Sequence, residues 1–284
     1  MMTRDYFDCV RAEFTRLRKW SACWIILAVA VVLNLVFTYL FTFLEYRTGS
    51  SPRSSTGQPR AALMQLMLPP AVPQVFTQGM AMFAGVLMLV LGALAVGSGY
   101  GWGTWKTAFT RGPSRVTVLA GTLTVLAGIV AALVLVLYVV DTGVAAVIGA
   151  VEHEHLGLPS PGRALLGLVV AMAILGMWML AGAAIGALAR GPALAVGLGL
   201  VWVLVVENLL RGVAAVFAPI RPIIDHLPGT AAGSLAGSMR VLGGESVPGV
   251  LDTLSRPAAF LTIAVYLAVF TLGTLTLVRT RDLV

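Results

Sequence analysis

The sequence predicts an all-α membrane protein with six transmembrane helices, an N-terminal interfacial amphipathic helix and a short cytoplasmic helix after the second span. Three observations predict it. Of 284 residues, 58% are hydrophobic and only 11% are charged, against about 25% charged in an ordinary soluble domain. The mean hydropathy is +0.93, which is more apolar surface than one water-soluble core hides. The apolar residues form continuous runs rather than alternating with polar ones, and this favours helices over a β-barrel. The same balance excludes a soluble enzyme, a disordered chain and a nucleic-acid-binding module, although the formal charge is +7. The bases sit between apolar runs, where they meet lipid headgroups and a partner protein.

A spanning helix needs about 20 mostly apolar residues to cross about 30 Å of hydrocarbon. Six stretches meet that length: 21–44, 75–96, 116–140, 164–188, 193–210 and 258–278. The first is too long for a secretory signal and lacks a small-residue cleavage site at its end, so no cleavable leader is expected. The chain therefore divides into an N-terminal interfacial helix over 1–20 and a six-span domain over 21–284, with a coupling loop at 100–115 and a long outer segment at 218–257.

An even number of spans puts both termini on one side. Arg4, Arg11, Arg16, Arg18, Lys19, Lys106, Arg111, Arg115, Arg190, Arg279 and Arg281 crowd into short segments on the side of the termini. The remaining arginines are spread over longer loops on the other side. The positive-inside rule makes the first side cytoplasmic, and the expected location is the inner membrane of a bacterium. Before the first span, Phe7, Val10, Phe14 and Leu17 recur at three- and four-residue steps, an apolar stripe with Arg4, Arg11 and Arg18 on another face. Such a helix lies flat in the interface, and Trp20 and Trp24 mark the headgroup boundary. Of the outer loops, 45–60 is polar and exposed, 61–68 is apolar enough to lie on the outer surface, and 218–257 is too broken to span yet too apolar for a solvated loop, so a re-entrant or surface-lying element is expected there.

No catalytic residue and no nucleotide site is expected. The two lysines, Lys19 and Lys106, follow no glycine, so a phosphate-cradling GxxxxGK[ST] loop is absent and any ATPase is on another chain. The two cysteines, Cys9 and Cys23, have no metal or disulfide spacing. His153 and His155 stand two apart in Glu152-His153-Glu154-His155, which is not the HExxH spacing of a zinc helix. A solvated loop is the simpler reading and a zinc or copper site the alternative. Glu207 is the acid inside a span, roughly 21 Å along the helix that starts near Ala193. Arg211 follows on the same face in the favoured i,i+4 order, so a structural ion pair and a cavity-lining role both fit. Gly182 and Gly186 allow close helix approach, within the chain or between subunits.

The loop after the second span carries most of the functional signal. Gly103 and Thr104 give a flexible entry with a capping hydroxyl, 104–111 makes two helical turns, and Gly112 and Pro113 end them. Trp105 and Phe109 share a face, with Lys106 and Arg111 off it. Either a handle for a partner or a topogenic loop with aromatic anchors fits this pattern. Tyr100, Gly103, Thr104, Ser114 and Arg115 resemble the loop of permease subunits of ABC exporters of type 2, the type V class, although Gly99 stands where those permeases often carry an acid. The resemblance extends coarsely over the whole chain. It implies a transport subunit without its own ATPase site, paired with a second permease copy or paralogue. A cytoplasmic ABC ATPase would bring ATP and Mg, and the cargo would be a drug, lipid or peptide of hydrophobic or amphipathic character moved outward. It further implies that Thr104, Trp105, Lys106, Phe109, Arg111 and Arg115 couple to the ATPase, with Trp105 and Phe109 filling a groove on it. The competing readings are a membrane-embedded metal-dependent hydrolase using His153, His155 and Glu207, and an ion-coupled secondary carrier.

Overall fold

The computed structural model describes residues 2–49, 59–109, 113–154, 157–240 and 249–280. All regular structure among them is helical. Helix α1 (Met2–Lys19) ends at Trp20, whose extended backbone (φ −88°, ψ 113°) makes the corner into α2 (Ser21–Thr48). Gly49, in the left-handed region at φ 69°, terminates α2. Pro59 precedes α3 (Arg60–Met67), which buries Leu63, Met64 and Met67. Helix α4 (Val72–Gly79) starts with Pro73 in its first turn, where a missing N–H costs nothing. It runs through a wide turn, Met80–Ala84, into α5 (Gly85–Gly101). A short helix, α6 (Thr104–Phe109), follows.

Helix α7 (Arg115–Val151) is capped by Ser114, whose Oγ accepts the N–H of Thr117 at 3.1 Å. It is followed by α8 (Pro161–Ala189), α9 (Pro192–Val216), the buried α10 (Pro228–Gly237) and α11 (Arg256–Thr280). Among the described residues, five helices are long and apolar enough to cross a membrane: α2, α7, α8, α9 and α11. The 17-residue α5 is as apolar but shorter.

The third apolar run does not stop at 140 as expected. Helix α7 continues to Val151, because Asp141 is buried and hydrogen-bonded and the ten residues after it are again apolar. Position 141 therefore lies inside the helix and not at its end.

Helices α5 and α8 form the centre. Their backbones touch: a Cβ at Gly182 would run into the Leu89 carbonyl, one at Gly92 into the Met179 carbonyl, and one at Gly186 would stand 2.9 Å from the Ala93 oxygen. Small residues are what let two helices approach this far, and the gain is dispersion rather than water release. Around this pair stand α2, α7, α9 and α11, whose outer faces carry exposed Leu, Val and Ile side chains, a surface suited to lipid. One end of the bundle gathers α1, the last turns of α5, α6, the start of α7 and the turn at Arg190 and Gly191. A Cβ at Gly97 would stand 3.2 Å from the Gly191 carbonyl there, and Tyr6 pairs with Thr124 at 2.6 Å. The other end gathers Arg47 with Glu152 at 2.7 Å, Pro73 against Gly167, and Ser238 with Arg256. There the broken segment folds inward: α10 is buried along nearly its whole length and packs on α11, α4 and α8.

Candidate functional site

The loop after α5 is built as a bracket. Gly103 takes φ 66°, a left-handed turn that only glycine adopts freely. The turn folds α6 back against the helix it leaves. The Thr104 hydroxyl donates to the Gly99 carbonyl at 3.3 Å. Trp105 is 6% exposed; its indole N–H donates to the Val96 carbonyl at 3.0 Å, and Tyr100 packs on it with ring centres 6.2 Å apart.

The outward-facing Trp105 expected from the sequence is therefore corrected. The indole is inside, because an apolar body with one N–H gains most from a slot that ends on a carbonyl. The slot exists because position 99 is glycine: a Cβ there would collide with the indole. Gly99 thus stands where the resemblance expects an acid because Trp105 occupies the volume. Arg115 begins α7 and is half-buried. Arg111 lies outside the described residues, and of Lys106 and Phe109 only the backbone is described.

Helix α1 is fastened to the same place. Arg16 pairs with Glu13 at 2.5 Å and donates to the Ala95 carbonyl at 3.1 Å. Its guanidinium lies 5.8 Å from the centre of the Trp20 ring, which meets Trp102 edge-on at 6.1 Å. Between α1 and α6 lies a cavity of about 550 Å³ lined by Asp5, Asp8, Cys9, Glu13, Thr104 and Trp105 among others. Burial, then the nearby carboxylates of Asp5 and Asp8, push the Cys9 thiol above its ordinary range.

Glu207 is wholly buried, and its partners are more numerous than the sequence suggests. The wide turn Trp202–Val206 precedes it. In an α-helix, residues five apart point about 140° away from each other; hydrogen bonding from i to i+5 brings them to one side. The Trp202 indole accordingly donates to Glu207 at 3.0 Å. Asn208 donates to the Leu204 carbonyl at 3.0 Å. The main partner is remote: the Gly229 N–H donates to both carboxylate oxygens, at 3.1 and 2.9 Å. Gly229 lies in the first turn of α10, so Glu207 supplies the anionic cap that α10 lacks in its own sequence. Arg211 does reach Glu207, but at 3.4 Å and with 29% of its side chain exposed.

Sequence reasoning placed one carboxylate within the spans; the structure buries two more on span-length helices, Glu45 near the end of α2 and Asp141 within α7. Asp141 is 0% exposed and accepts from the Asn34 side-chain amide at 2.7 Å. The Tyr39 hydroxyl donates to the Asp141 backbone carbonyl at 3.1 Å. Asn34 precedes the wide turn Val36–Leu40 and Tyr39, five residues on, lies within it, the same device as at Glu207. The readable signal was the apolar stretch on both sides of Asp141. Glu152, by contrast, pairs with Arg47 and Tyr46 at the helix end. His153 sits at φ 57°, and His155 lies outside the described residues. Among the described residues no three His, Cys, Asp or Glu side chains converge as a metal site. The described residues offer fastened helices and buried carboxyls. No protein-family model matches the chain, and no curated protein is similar enough to count as a relative.

Proposed function

We propose that this chain is the membrane-spanning permease subunit of an ATP-driven exporter, worked by a separate cytoplasmic ABC ATPase and paired with a second permease. The observation that carries the reading is the bracket at the end of α5. A six-residue helix on a solvent-facing loop has no intrinsic stability, yet α6 is pinned through Trp105 to the Val96 carbonyl, and α1 is pinned one residue earlier through Arg16 to Ala95. A push on α6 is therefore delivered to α5, and from α5 to α8 through glycine contacts that leave no slack. That is the mechanical requirement for a coupling helix. In this reading 72–101, about 45 Å long at 1.5 Å per residue, is the sixth span. Helix α1 lies in the cytoplasmic interface with Phe7 and Phe14, both exposed, toward lipid. Both termini are cytoplasmic and the membrane is the bacterial inner membrane. Thr104, Lys106, Phe109, Arg111 and Arg115 would meet the ATPase, while Trp105 acts from inside as the peg. The chain contributes no catalytic group of its own.

The test is co-expression with an ABC ATPase from the same genome. The reading expects the two to co-purify and the permease to raise ATP turnover. Trp105→Ala should keep docking but uncouple hydrolysis from transport, whereas Phe109→Ala should weaken docking. Co-purification and coupling untouched in the double variant would refute the assignment. One observation favours a second reading, an ion-coupled carrier: Asp141 adds a second carboxyl to the membrane interior. Transport by the chain alone under an ion gradient would select it.

A further inference from the structure

The Asn34, Tyr39 and Asp141 centre has an imbalance of hydrogen-bonding groups. One Asp141 oxygen accepts from Asn34; the other, Oδ2, is buried and has no partner, and neither has the Asn34 side-chain carbonyl. The Tyr39 hydroxyl donates to the backbone carbonyl of Asp141 and not to its carboxylate. Two buried acceptors are left, and the only further donor among these three side chains is the second N–H of the Asn34 amide.

Among the described residues no positive charge stands nearby either. From α2 the facing groups are Asn34 and Tyr39. On α7 itself Tyr138 lies one turn earlier, its ring against Phe76. Helix α4 brings the buried but uncharged Gln74, Thr77 and Gln78. The charges of the other helices packed on α7 sit at helix ends: Arg60 on α3, Arg163 on α8, Arg256 and Arg279 on α11. Those of α1 lie against the opposite end of α7, where Cys9 meets Gly121. Glu152, paired with Arg47, is about 16 Å further along the helix.

An ionised carboxylate in such surroundings has neither a counter-ion nor enough donors, and burying one is strongly unfavourable. A proton on Asp141 removes the charge and turns one orphaned acceptor into a donor. We propose that the centre formed by Asn34, Tyr39 and Asp141 is a proton-binding site within the membrane. Asp141 is a neutral carboxylic acid while α2, α4 and α7 are packed together, and it releases its proton when α2 and α7 part. The change is a simple dissociation of one carboxylic O–H into carboxylate and H⁺. The site would then link separation of these helices to the proton concentration of whichever side water enters from.

The direct test is infrared spectroscopy of the purified full-length chain in lipid nanodiscs at neutral pH, with ¹³C-labelled aspartate. Asp141 is the only wholly buried aspartate among the described residues; Asp5 and Asp225 are half-buried, and Asp8 and Asp252 are exposed. The proposal expects a protonated-carboxyl stretching band that shifts with the label, is lost in Asp141→Asn and persists in Glu207→Gln. Label-sensitive bands of ionised carboxylate alone, or a protonated band that survives Asp141→Asn, would overturn it. If Asp141→Asn does not fold, the labelled wild-type spectrum still decides. The measurement needs neither partner nor ATP, so it stands or falls separately from the exporter reading.

Discussion

Replacing Glu207 by alanine removes an acceptor on which three donors converge: the Gly229 N–H, the Trp202 indole and the Arg211 guanidinium. A hydrogen bond inside a membrane protein averages about 0.6 kcal/mol, and loss of a helix cap typically costs about 1 kcal/mol. The Trp202 bond and the α10 cap together amount to about 1.6 kcal/mol. The partly buried Arg211, left without its anion, adds roughly 1 kcal/mol after allowance for its 29% exposure. Glu207→Ala should therefore lose about 2.5 kcal/mol. For a chain of this size that is a fall in melting temperature of roughly 5–10 °C. Glu207→Gln keeps an oxygen for Gly229 and should lose about 1 kcal/mol. Arg211→Ala, which leaves the cap and the indole bond in place, should also lose about 1 kcal/mol. Tryptophan fluorescence of the detergent-purified variants on heating measures all three. An Arg211→Ala loss equal to that of Glu207→Ala would show that the ion pair, and not the cap on α10, is the main role of this carboxylate. An unchanged midpoint in Glu207→Ala would refute both.

Two other predictions follow from single contacts. Gly182→Ala drives a Cβ into the backbone of Leu89, whereas Gly199→Ala meets only the flexible end of the Leu89 side chain. The first should abolish accumulation of folded protein and the second should lower the melting temperature by a few degrees at most, as read by size-exclusion profile and thermal melt. The Cys9 thiol, held high by burial and then by Asp5 and Asp8, carries less thiolate at neutral pH than a free cysteine. Alkylation by iodoacetamide should be slow, rise steeply toward alkaline pH, and speed up at neutral pH in an Asp5→Asn, Asp8→Asn variant. Rates that ignore both changes would contradict the electrostatic account, and labelling of Cys9 by an impermeant reagent from outside intact cells would contradict cytoplasmic termini.

The helices were legible because lipid imposes a length on apolar runs, and that rule needs no partner residue. Loop chemistry was legible at Gly103, which turns the chain where a flexible entry into α6 is expected. The contacts were harder to foresee. Glu207 was noticed because a charge in an apolar run is visible, but its main donor is 22 residues away, on a segment whose fold depends on being buried. Asp141 was taken for the end of a span because an acid usually is one. The ten apolar residues beyond it were the contrary signal. The wide turns were not readable, since nothing in Val36–Leu40 or Trp202–Val206 departs in composition from the α-helix around it. They nevertheless decide which side chains meet. Trp105 was placed on the right helix but facing the wrong way, because periodicity defines a face without saying what it touches. The alternation of Gly97, Gly99 and Gly101 was the clue to a slot beside it.

The central claim is that the energy source is another polypeptide, acting through the bracket at the end of α5. Its most direct test is cargo movement in sealed proteoliposomes containing this chain with and without the co-purified ATPase, in the presence of ATP and with no ion gradient. The account predicts movement only when both proteins and hydrolysable ATP are present, and its loss in Trp105→Ala while ATP turnover continues. Movement at the same rate by the chain alone would contradict it.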